Sequence, residues 1–272
     1  MNILVTGSYG QVGSELHRLA KTYNNFSFVF VDKDDLDITD LIAVETFFSS
    51  HLFSYCINCA AYTAVDKAET DIKNARLVNV TGAKNLAIAC SKNKVRLIQI
   101  STDYVYHNDQ NTPFKEDDQT NPQGIYAKTK LDGDLASLKY NKETVVIRTS
   151  WVYSSFGNNF VKTMLRLGVE REKLKIIFDQ IGSPTYARDL AKAMMDIITL
   201  NPSKFNGVYH YSNEGVCSWY DFARAIFELK GIECETSPIE TSDYPTPAQR
   251  PPFSLLNKTK IKTTFGLTIP YW

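Results

Sequence analysis

Three glycines near the amino terminus restrict the fold more than any other feature of this sequence. Gly7, Gly10 and Gly13 stand between a short β-type run, Asn2–Thr6, and a helical pattern through Leu16. Glycine lets a chain turn tightly and approach a pyrophosphate, which then meets the amides at a helix N-terminus. A glycine-rich turn without a ligand is the alternative. The flanking strand and helix favour a dinucleotide-binding turn.

Strand-sized apolar runs and helical patterns alternate along the chain. This alternation is typical of a parallel sheet with helices on both faces. We predict an α/β protein: a Rossmann-type doubly wound parallel sheet over residues 1–150 and a smaller mixed α/β substrate-binding domain over 151–272, whose segments are free to cross back. The predicted strands are residues 2–6, 26–31, 55–58, 95–100, 144–148, 174–178 and 207–211. The predicted helices begin after Gly10 and Asp40 and cover residues 78–90, 126–140, 157–167, 187–200 and 218–230, the last with an N-cap serine.

Charge and cysteine content narrow the class of protein. The 272 residues carry 30 basic and 30 acidic side chains, so no net charge favours nucleic acid or an anionic membrane. The apolar runs are strand-sized and the N-terminus enters a strand at once, so we expect no signal peptide or membrane span. Five cysteines suit reduced thiols in a cytoplasmic protein. Cys56 and Cys59 form a C-x-x-C without a second pair or nearby histidine, which favours buried strand cysteines over zinc.

Residues 101–130 contain the candidate catalytic groups. Tyr126 and Lys130 stand four apart, so on a helix they share a face. An ammonium near a phenol lowers the phenol pKa, and such a phenol is a general acid or base for an alcohol and ketone pair. Thr102 follows the apolar run 95–100, where a parallel strand would bring its hydroxyl to the same cleft. A solvated helix face is the alternative, but three groups able to hold one carbonyl oxygen favour catalysis.

The predicted second strand is followed by Asp32, about twenty residues after the glycines. A carboxylate there accepts a hydrogen bond from the ribose 2′-hydroxyl of adenosine, which favours NADH. Lys33 follows directly and can tolerate a 2′-phosphate. We therefore predict NADPH or NADH as the cofactor. The small residues 59–61, just past the third strand, let the backbone approach it closely.

These segments resemble the extended short-chain dehydrogenase/reductases nearly end to end. The general resemblance rests on residues 6–13 and 58–69, on Ser-Thr-Asp-Tyr-Val-Tyr (101–106) and on Tyr-Ala-Lys-Thr-Lys (126–130). Later segments resemble a reductase branch of that family rather than its epimerases and dehydratases. They are Arg-Thr-Ser-Trp-Val-Tyr (148–153), Gly-Asn-Asn-Phe (157–160), Asp-Gln (179–180), Gly-Ser-Pro-Thr (182–185) and Tyr-Pro-Thr-Pro-Ala-Gln-Arg-Pro (244–251).

The resemblance implies hydride transfer from NADPH or NADH to the C4 ketone of dTDP-4-dehydro-L-rhamnose, for cell-surface polysaccharide biosynthesis. It implies a nucleotide-sugar partner and a monomer or homodimer. The implied catalytic residues are Thr102, Tyr126 (which protonates the ketone oxygen) and Lys130. The implied cofactor-binding residues are Gly7, Gly10, Gln11, Val12, Gly13, Asp32, Asp37, Ile38, Ala60, Ala61, Tyr62 and Lys130. The implied substrate-binding residues are Tyr104, Tyr126, Trp151, Asn159 and Arg250.

The sequence departs from the family pattern at three places. Cys59 stands where alanine is usual, and family members continue into another helix beyond Trp272. Some members pair through a magnesium site that uses acidic residues, one near Glu15. Arg188 stands where another of those carboxylates is expected, so we predict no metal. Two other functions stay open: a reductase or epimerase of another deoxyhexose nucleotide, and a non-catalytic nucleotide-binding regulatory subunit.

Overall fold

A six-stranded parallel sheet lies at the centre of the protein, in a computed structural model that describes residues 1–272. The strands are β1 (Asn2–Thr6), β2 (Ser27–Val31), β3 (Tyr55–Asn58), β4 (Arg96–Thr102), β5 (Thr144–Thr149), β6 (Val152–Tyr153), β7 (Lys173–Ile177), β8 (Ile181–Gly182), β9 (Thr185–Tyr186), β10 (Gly207–His210), β11 (Cys217–Ser218) and β12 (Glu235–Ile239). The α-helices are α1 (Gln11–Ala20), α2 (Leu41–Ser49), α3 (Val65–Ala68), α4 (Ile72–Arg76), α5 (Ala83–Lys92), α6 (Gly124–Tyr140), α7 (Phe160–Glu170), α8 (Ala187–Leu200), α9 (Trp219–Lys230) and α10 (Thr259–Phe265). A π-helix covers Leu77–Gly82, and 3₁₀ turns cover Asp103–Val105 and Thr241–Asp243.

The order of strands places a ligand site at one edge of the sheet. The order is β10-β5-β4-β3-β1-β2, and every pair is parallel. The chain runs outward from β1 to β2 and then returns to β3 on the other side of β1. Ligands of open parallel sheets bind beyond the carboxyl ends of the strands, where the order reverses in this way. The glycine turn follows β1, so the predicted doubly wound α/β fold is confirmed.

Both faces of this sheet are covered by apolar cores. Ile3 and Val5 of β1 lie in a core shared with α1, α8 and α10, whereas Leu4 lies in a second core shared with α2 and α5. All three side chains are fully buried. Successive side chains of a strand point to opposite faces, so a strand covered on both sides becomes a nearly continuous apolar run.

Residues after 150 contribute both to the central sheet with its covering helices and to a separate, smaller core. Helix α8 packs against α1, and β10 pairs with β5 in the central sheet. Helices α7 and α9 and strand β7 enclose a separate, smaller core, and β12 pairs with β7. The predicted N-cap of α9 is confirmed, because the Ser218 hydroxyl accepts a hydrogen bond from the Asp221 amide at 3.1 Å. No helix is both long and apolar enough to cross a membrane.

Three parts of the chain differ from the sequence prediction. The helix predicted over 157–167 is α7, Phe160–Glu170, which starts later because Asn159 is its N-cap. The predicted helix over 78–90 starts as the π-helix Leu77–Gly82 and continues as α5, and it is preceded by the short helices α3 and α4. The proline-rich tail begins inside a strand, β12, in which Pro238 pairs with Ile176 of β7. Proline is tolerated there because β12 is an edge strand of a two-stranded sheet.

Candidate active site

The glycine turn is held tightly against the segment that follows β3. Gly7 has a φ of +63°, and a Cβ there would lie 2.5 Å from the Ala60 nitrogen. A Cβ at Gly13 would lie 2.5 Å from the Gly7 carbonyl oxygen, so glycine lets α1 approach the turn. Helix α1 begins at Gln11 with Gly10 as its N-cap, and no side chain caps its first amides. Those amides are available to an anionic group such as a pyrophosphate.

A cavity of about 520 Å³ lies beside the glycine turn. It opens past the carboxyl ends of β1, β2 and β3, as expected for a ligand at the reversal of strand order. Lys33 lines it together with most of the predicted cofactor residues. Those residues are Gly7, Gly10, Asp32, Asp37, Ile38, Ala60, Ala61 and Tyr62.

A second cavity of about 600 Å³ adjoins the first. The two cavities share Gly10, Cys59 and Ala61, and together they form one elongated cleft. The second cavity contains the predicted catalytic residues and several predicted ligand residues. Its predicted members are Gly10, Gln11, Val12, Ala61, Thr102, Tyr104, Tyr126, Lys130 and Trp151. Gly13, Asn159 and Arg250 line neither cavity.

The three predicted catalytic residues converge in the second cavity. Thr102 ends β4, while Tyr126 and Lys130 lie one turn apart in α6. Lys130 Nζ donates a hydrogen bond to the Ile100 carbonyl at 2.7 Å. The Tyr126 ring packs edge-on against Tyr104, with ring centroids 5.7 Å apart and an interplanar angle of 84°. Strand β4 and helix α6 thus bring a hydroxyl, a phenol and an ammonium to one space.

The predicted lowering of the Tyr126 pKa is wrong for this structure. Burial raises the pKa of Tyr126 to about 12, and a hydrogen bond with Thr102 opposes this only in part. Burial also lowers the pKa of Lys130. Desolvation of the phenol is the largest effect on its pKa, and the nearby Asp103 and Asp134 charges act in the same direction. Tyr126 carries its proton at neutral pH, which is the form that acts as a general acid.

Asp32 and Asp37 line the first cavity, and both carboxylates already accept hydrogen bonds from within the protein. Asp32 accepts hydrogen bonds from the Tyr9 and Lys33 amides at 3.1 and 2.8 Å. Asp37 accepts from the amide and hydroxyl of Thr39, and these bonds hold the pKa of Asp37 below its usual value. A carboxylate has about four acceptor sites, so Asp32 can still accept from a ribose hydroxyl. With the glycine turn and the open amides, these residues fit a dinucleotide.

Two stacked tryptophans line the second cavity. The Trp151 and Trp219 rings are 3.6 Å apart and tilted by 12°. Trp151 has a φ of +48°, rare for a residue other than glycine, and a Cβ at Gly182 would lie 2.9 Å from its indole. Trp219 Nε1 donates to Gln180 Oε1 at 3.2 Å, which anchors the stack. Trp151 was predicted from the sequence, but Trp219 was not. Trp219 is the first residue of α9, and no local sequence pattern there indicates that its side chain lines a cavity.

Arg250 contacts Asp66 instead of lining the cleft. Its two terminal nitrogens donate to Asp66 Oδ1 and Oδ2 at 3.1 and 2.8 Å, and one also donates to Thr246 Oγ1 at 2.6 Å. The guanidinium holds the pKa of Asp66 below its usual value. Asp66 lies in α3, whose Val65 lines the second cavity. The pair fastens the proline-rich tail beside the cleft, and a contact of Arg250 with the substrate stays a prediction.

Asn159 also acts next to the cleft instead of inside it. Its side chain caps α7 by accepting from the Lys162 amide at 3.1 Å, and its amide group donates to Gln11 Oε1 at 2.9 Å. Gln11 and Asn158 line the second cavity. Asn159 therefore holds a cavity residue in place, and its own contact with substrate stays a prediction.

Two side chains that position the catalytic helix were not found from the sequence. Asn79 in the π-helix accepts from the Tyr62 amide at 2.8 Å and donates to Thr129 Oγ1 at 3.1 Å, so it joins the cofactor segment to α6. Glu69 accepts from the Ile125 amide at 2.7 Å in the first turn of α6. The partners on α6 are 50 and 56 residues away in sequence, so no local pattern predicts these contacts.

Glu15 and the cysteines have no metal-binding arrangement. Glu15 is buried in α1 and accepts from the Ser154 hydroxyl at 2.7 Å. No group of three or more histidine, cysteine, aspartate or glutamate side chains could hold a metal ion. All five cysteines are free thiols, with Cys56 buried in β3 and Cys59 partly exposed in the cleft.

Comparison with known proteins confirms the predicted family. The whole chain, residues 1–272, matches the family model for the RmlD substrate binding domain. A dTDP-4-dehydrorhamnose reductase of Aggregatibacter actinomycetemcomitans is 38% identical over 280 residues, which cover 99% of this chain and 95% of that protein. The crystal structure of a dTDP-4-dehydrorhamnose reductase, an RfbD ortholog, from Clostridium acetobutylicum is 42% identical, with a TM-score of 0.96 over 100% of this chain and 95% of that one. The reductase of Bacillus anthracis in complex with NADP is 35% identical, with a TM-score of 0.95 and the same coverage. The protein described here therefore belongs to the RmlD substrate binding domain family.

Proposed function

We propose that this protein is an NAD(P)H-dependent reductase that converts dTDP-4-dehydro-L-rhamnose to dTDP-L-rhamnose. The convergence of Thr102, Tyr126 and Lys130, in a cavity continuous with the glycine-turn cavity, carries this proposal. The names of the reductases to which the chain is similar over its full length support the same reaction. The NADP complex of the Bacillus anthracis reductase supports the choice of cofactor.

The three catalytic side chains have different roles at the ketone oxygen of the substrate. A bound dihydronicotinamide supplies the hydride that reduces the sugar C4 ketone. Tyr126 donates its phenolic proton to the ketone oxygen, and the Thr102 hydroxyl hydrogen-bonds to the same oxygen. Lys130 contributes a positive charge that stabilises the developing phenolate. The raised Tyr126 pKa supports this direction, because the phenol enters the reaction with its proton in place.

The glycine turn and its neighbours hold the cofactor. The amides that open α1 would meet the pyrophosphate, Asp32 would accept from the adenosine ribose, and Lys33 would meet a 2′-phosphate. This pairing of a carboxylate with an ammonium supports use of both NADH and NADPH. Residues 1–150 thus serve mainly the dinucleotide.

Residues 151–272 serve mainly the sugar nucleotide. Trp151 presents aromatic surface to it in the second cavity, and Trp219 stacks on Trp151 and lines the same cavity. Tyr104, from the first 150 residues, adds a third aromatic side chain there. Asn159 and Arg250 act at the edge of the cavity, Asn159 through Gln11 and Arg250 from its place beside Asp66.

Steady-state kinetics with purified protein test the function. NADPH or NADH oxidation is followed by absorbance with dTDP-4-dehydro-L-rhamnose, and the product is identified by chromatography against dTDP-L-rhamnose. Turnover with this sugar well above turnover with UDP-linked or other deoxyhexose ketones supports the proposal. Binding of NADPH without turnover of any sugar would instead indicate a nucleotide-binding regulatory subunit.

We further propose that the protein works in the cytoplasm as a monomer or homodimer, in the synthesis of cell-surface polysaccharide. Five free thiols suit a reducing compartment. Light scattering of the purified protein gives the oligomeric state.

A further inference from the structure

Lys130 has a buried carboxylate one helical turn away. Asp134 follows Lys130 on the same face of α6, and the two residues are 1% and 4% exposed. Asp134 Oδ2 accepts hydrogen bonds from Ser101 Oγ at 2.7 Å and from Arg148 Nε at 3.4 Å. Asp134 Oδ1 is buried and has no hydrogen-bond partner. Burial raises the pKa of Asp134, and the charges of Arg148 and Lys130 both oppose this rise.

The other neighbours of Arg148 are neutral. Arg148 donates to the Tyr106 hydroxyl at 2.6 Å, and that hydroxyl contacts His210 Nε2 at 2.8 Å. Burial raises the pKa of Tyr106 to about 12, whereas burial and the nearby guanidinium lower the pKa of His210 to about 3. Glu116 accepts from the His210 amide at 3.1 Å and, with Asp118, adds to the rise in the Tyr106 pKa, but neither carboxylate acts on Lys130. None of these side chains balances the two buried cations.

The groups facing Lys130 and Tyr126 from other strands do not replace Asp134. Cys59, after β3, is near Lys130, but burial raises the pKa of its thiol, so it is uncharged at neutral pH. Asp103, after β4, acts on Tyr126 and not on Lys130, and burial raises the pKa of Asp103 to about 7. Asp134 is therefore the anion that acts on Lys130 most directly.

Loss of the Asp134 charge would leave two cations in one dry region. Buried charges are stable only when they are paired, and an unpaired buried group loses its charge when it can. Arginine cannot release its proton in a protein, whereas a buried lysine can. Lys130 would therefore become neutral first.

We propose that Asp134 is a positioning residue for the reductase, whose carboxylate keeps the Lys130 ammonium charged while Arg148 and Ser101 hold that carboxylate in place. The kinetic part of this inference rests on the proposed function. The charge of Lys130 itself does not, and it can be measured without substrate.

The test compares Asp134→Asn with Asp132→Asn. Both changes remove one carboxylate from α6 without changing its shape, but Asp132 lies on the surface, paired with Arg76. Removing an opposite charge at close range shifts a pKa by roughly 1–3 units, so we expect the Lys130 pKa to fall by that amount in Asp134→Asn alone. NMR titration of ¹³C-lysine-labelled protein measures this pKa, with the Lys130 signal assigned by its loss in Lys130→Met.

The pH dependence of kcat/KM should follow the NMR result. The alkaline limb moves to lower pH in Asp134→Asn, because Lys130 loses its proton earlier and because the Asp134 charge also raises the pKa of Tyr126. The Asp132→Asn profile stays at the wild-type position. A Lys130 pKa in Asp134→Asn equal to that of the wild type would overturn the inference. Absence of sugar reduction by the wild type would refute the proposed function, and the NMR comparison would still decide the role of Asp134.

A second variant covers the case in which Asp134→Asn does not fold. Asp134→Ala removes the same carboxylate and places no amide N–H against the Arg148 guanidinium. We expect the Lys130 pKa and the alkaline limb to move to lower pH, as in Asp134→Asn. A Lys130 pKa in Asp134→Ala equal to that of the wild type would contradict the proposed charge balance.

Discussion

Replacing Tyr126 by phenylalanine isolates the proton-donating step. The ring keeps its edge-on contact with Tyr104 at 5.7 Å, so the substitution removes only the hydroxyl and its hydrogen bond with Thr102. The wild-type phenol is protonated throughout the neutral range, so the variant loses an acid that is fully present. General acid catalysis contributes roughly 10²–10⁴-fold, equivalent to about 3–5 kcal/mol of the barrier. Thr102 and Lys130 remain, so residual turnover should persist.

Single-turnover oxidation of NADPH measures the loss, and fluorescence titration measures cofactor affinity. Tyr140→Phe is the matched control, because it makes the same change at the exposed end of the same helix. We expect kcat to fall only in Tyr126→Phe, while NADPH affinity is unchanged in both variants. Turnover of Tyr126→Phe within a few-fold of wild type would refute the assignment of the acid.

Three further predictions concern the cofactor, the tail and the packing of α6. Asp32→Ala should weaken NADH by roughly 10–100-fold and NADPH less, because only NADH offers a free 2′-hydroxyl to the carboxylate; equal losses in fluorescence titrations would contradict this. Arg250→Lys keeps the charge but loses the planar guanidinium that holds Asp66. The substrate KM should therefore rise, while the affinity for NADH stays unchanged. The rise should be smaller than for Arg250→Ala, for which we expect a loss of roughly 1–3 kcal/mol in substrate binding. If only the melting temperature falls, Arg250 is structural. Gly133→Ala would place a Cβ 2.1 Å from the Asn79 carbonyl oxygen, so thermal unfolding should show a loss of about 1–3 kcal/mol, with a lower kcat because α6 must shift; wild-type values for both would show that the contact relaxes freely.

The elements with a clear local signal were predictable. The glycine turn was predicted from three glycines within seven consecutive residues, 7–13. In the structure Gly7 has a φ of +63°, a conformation that favours glycine. Helix α8 has the predicted bounds, Ala187–Leu200, because its apolar residues repeat at helical spacing and most are buried against the sheet. The pairing of Tyr126 with Lys130 is likewise a property of one helix.

Contacts between distant segments were not predictable. Arg250 was expected to bind the substrate, and in the structure it holds Asp66, 184 residues earlier. Asn159 was expected to face the sugar, but it caps α7 and holds Gln11, 148 residues earlier. Neither side chain has a local pattern that distinguishes a ligand contact from a contact within the protein, since the same donors serve both.

Desolvation is the second property that required the folded chain. Spacing along α6 brings Lys130 and Tyr126 to the same cavity, yet the phenol pKa rises because burial excludes water from it. The same exclusion makes Asp134 important, although in sequence it is one more acidic residue on a helix. Neighbours within one element follow from the order of residues, because helix and strand geometry are fixed. Partners across elements and the loss of water depend on how all the elements pack, and only the tertiary structure determines them.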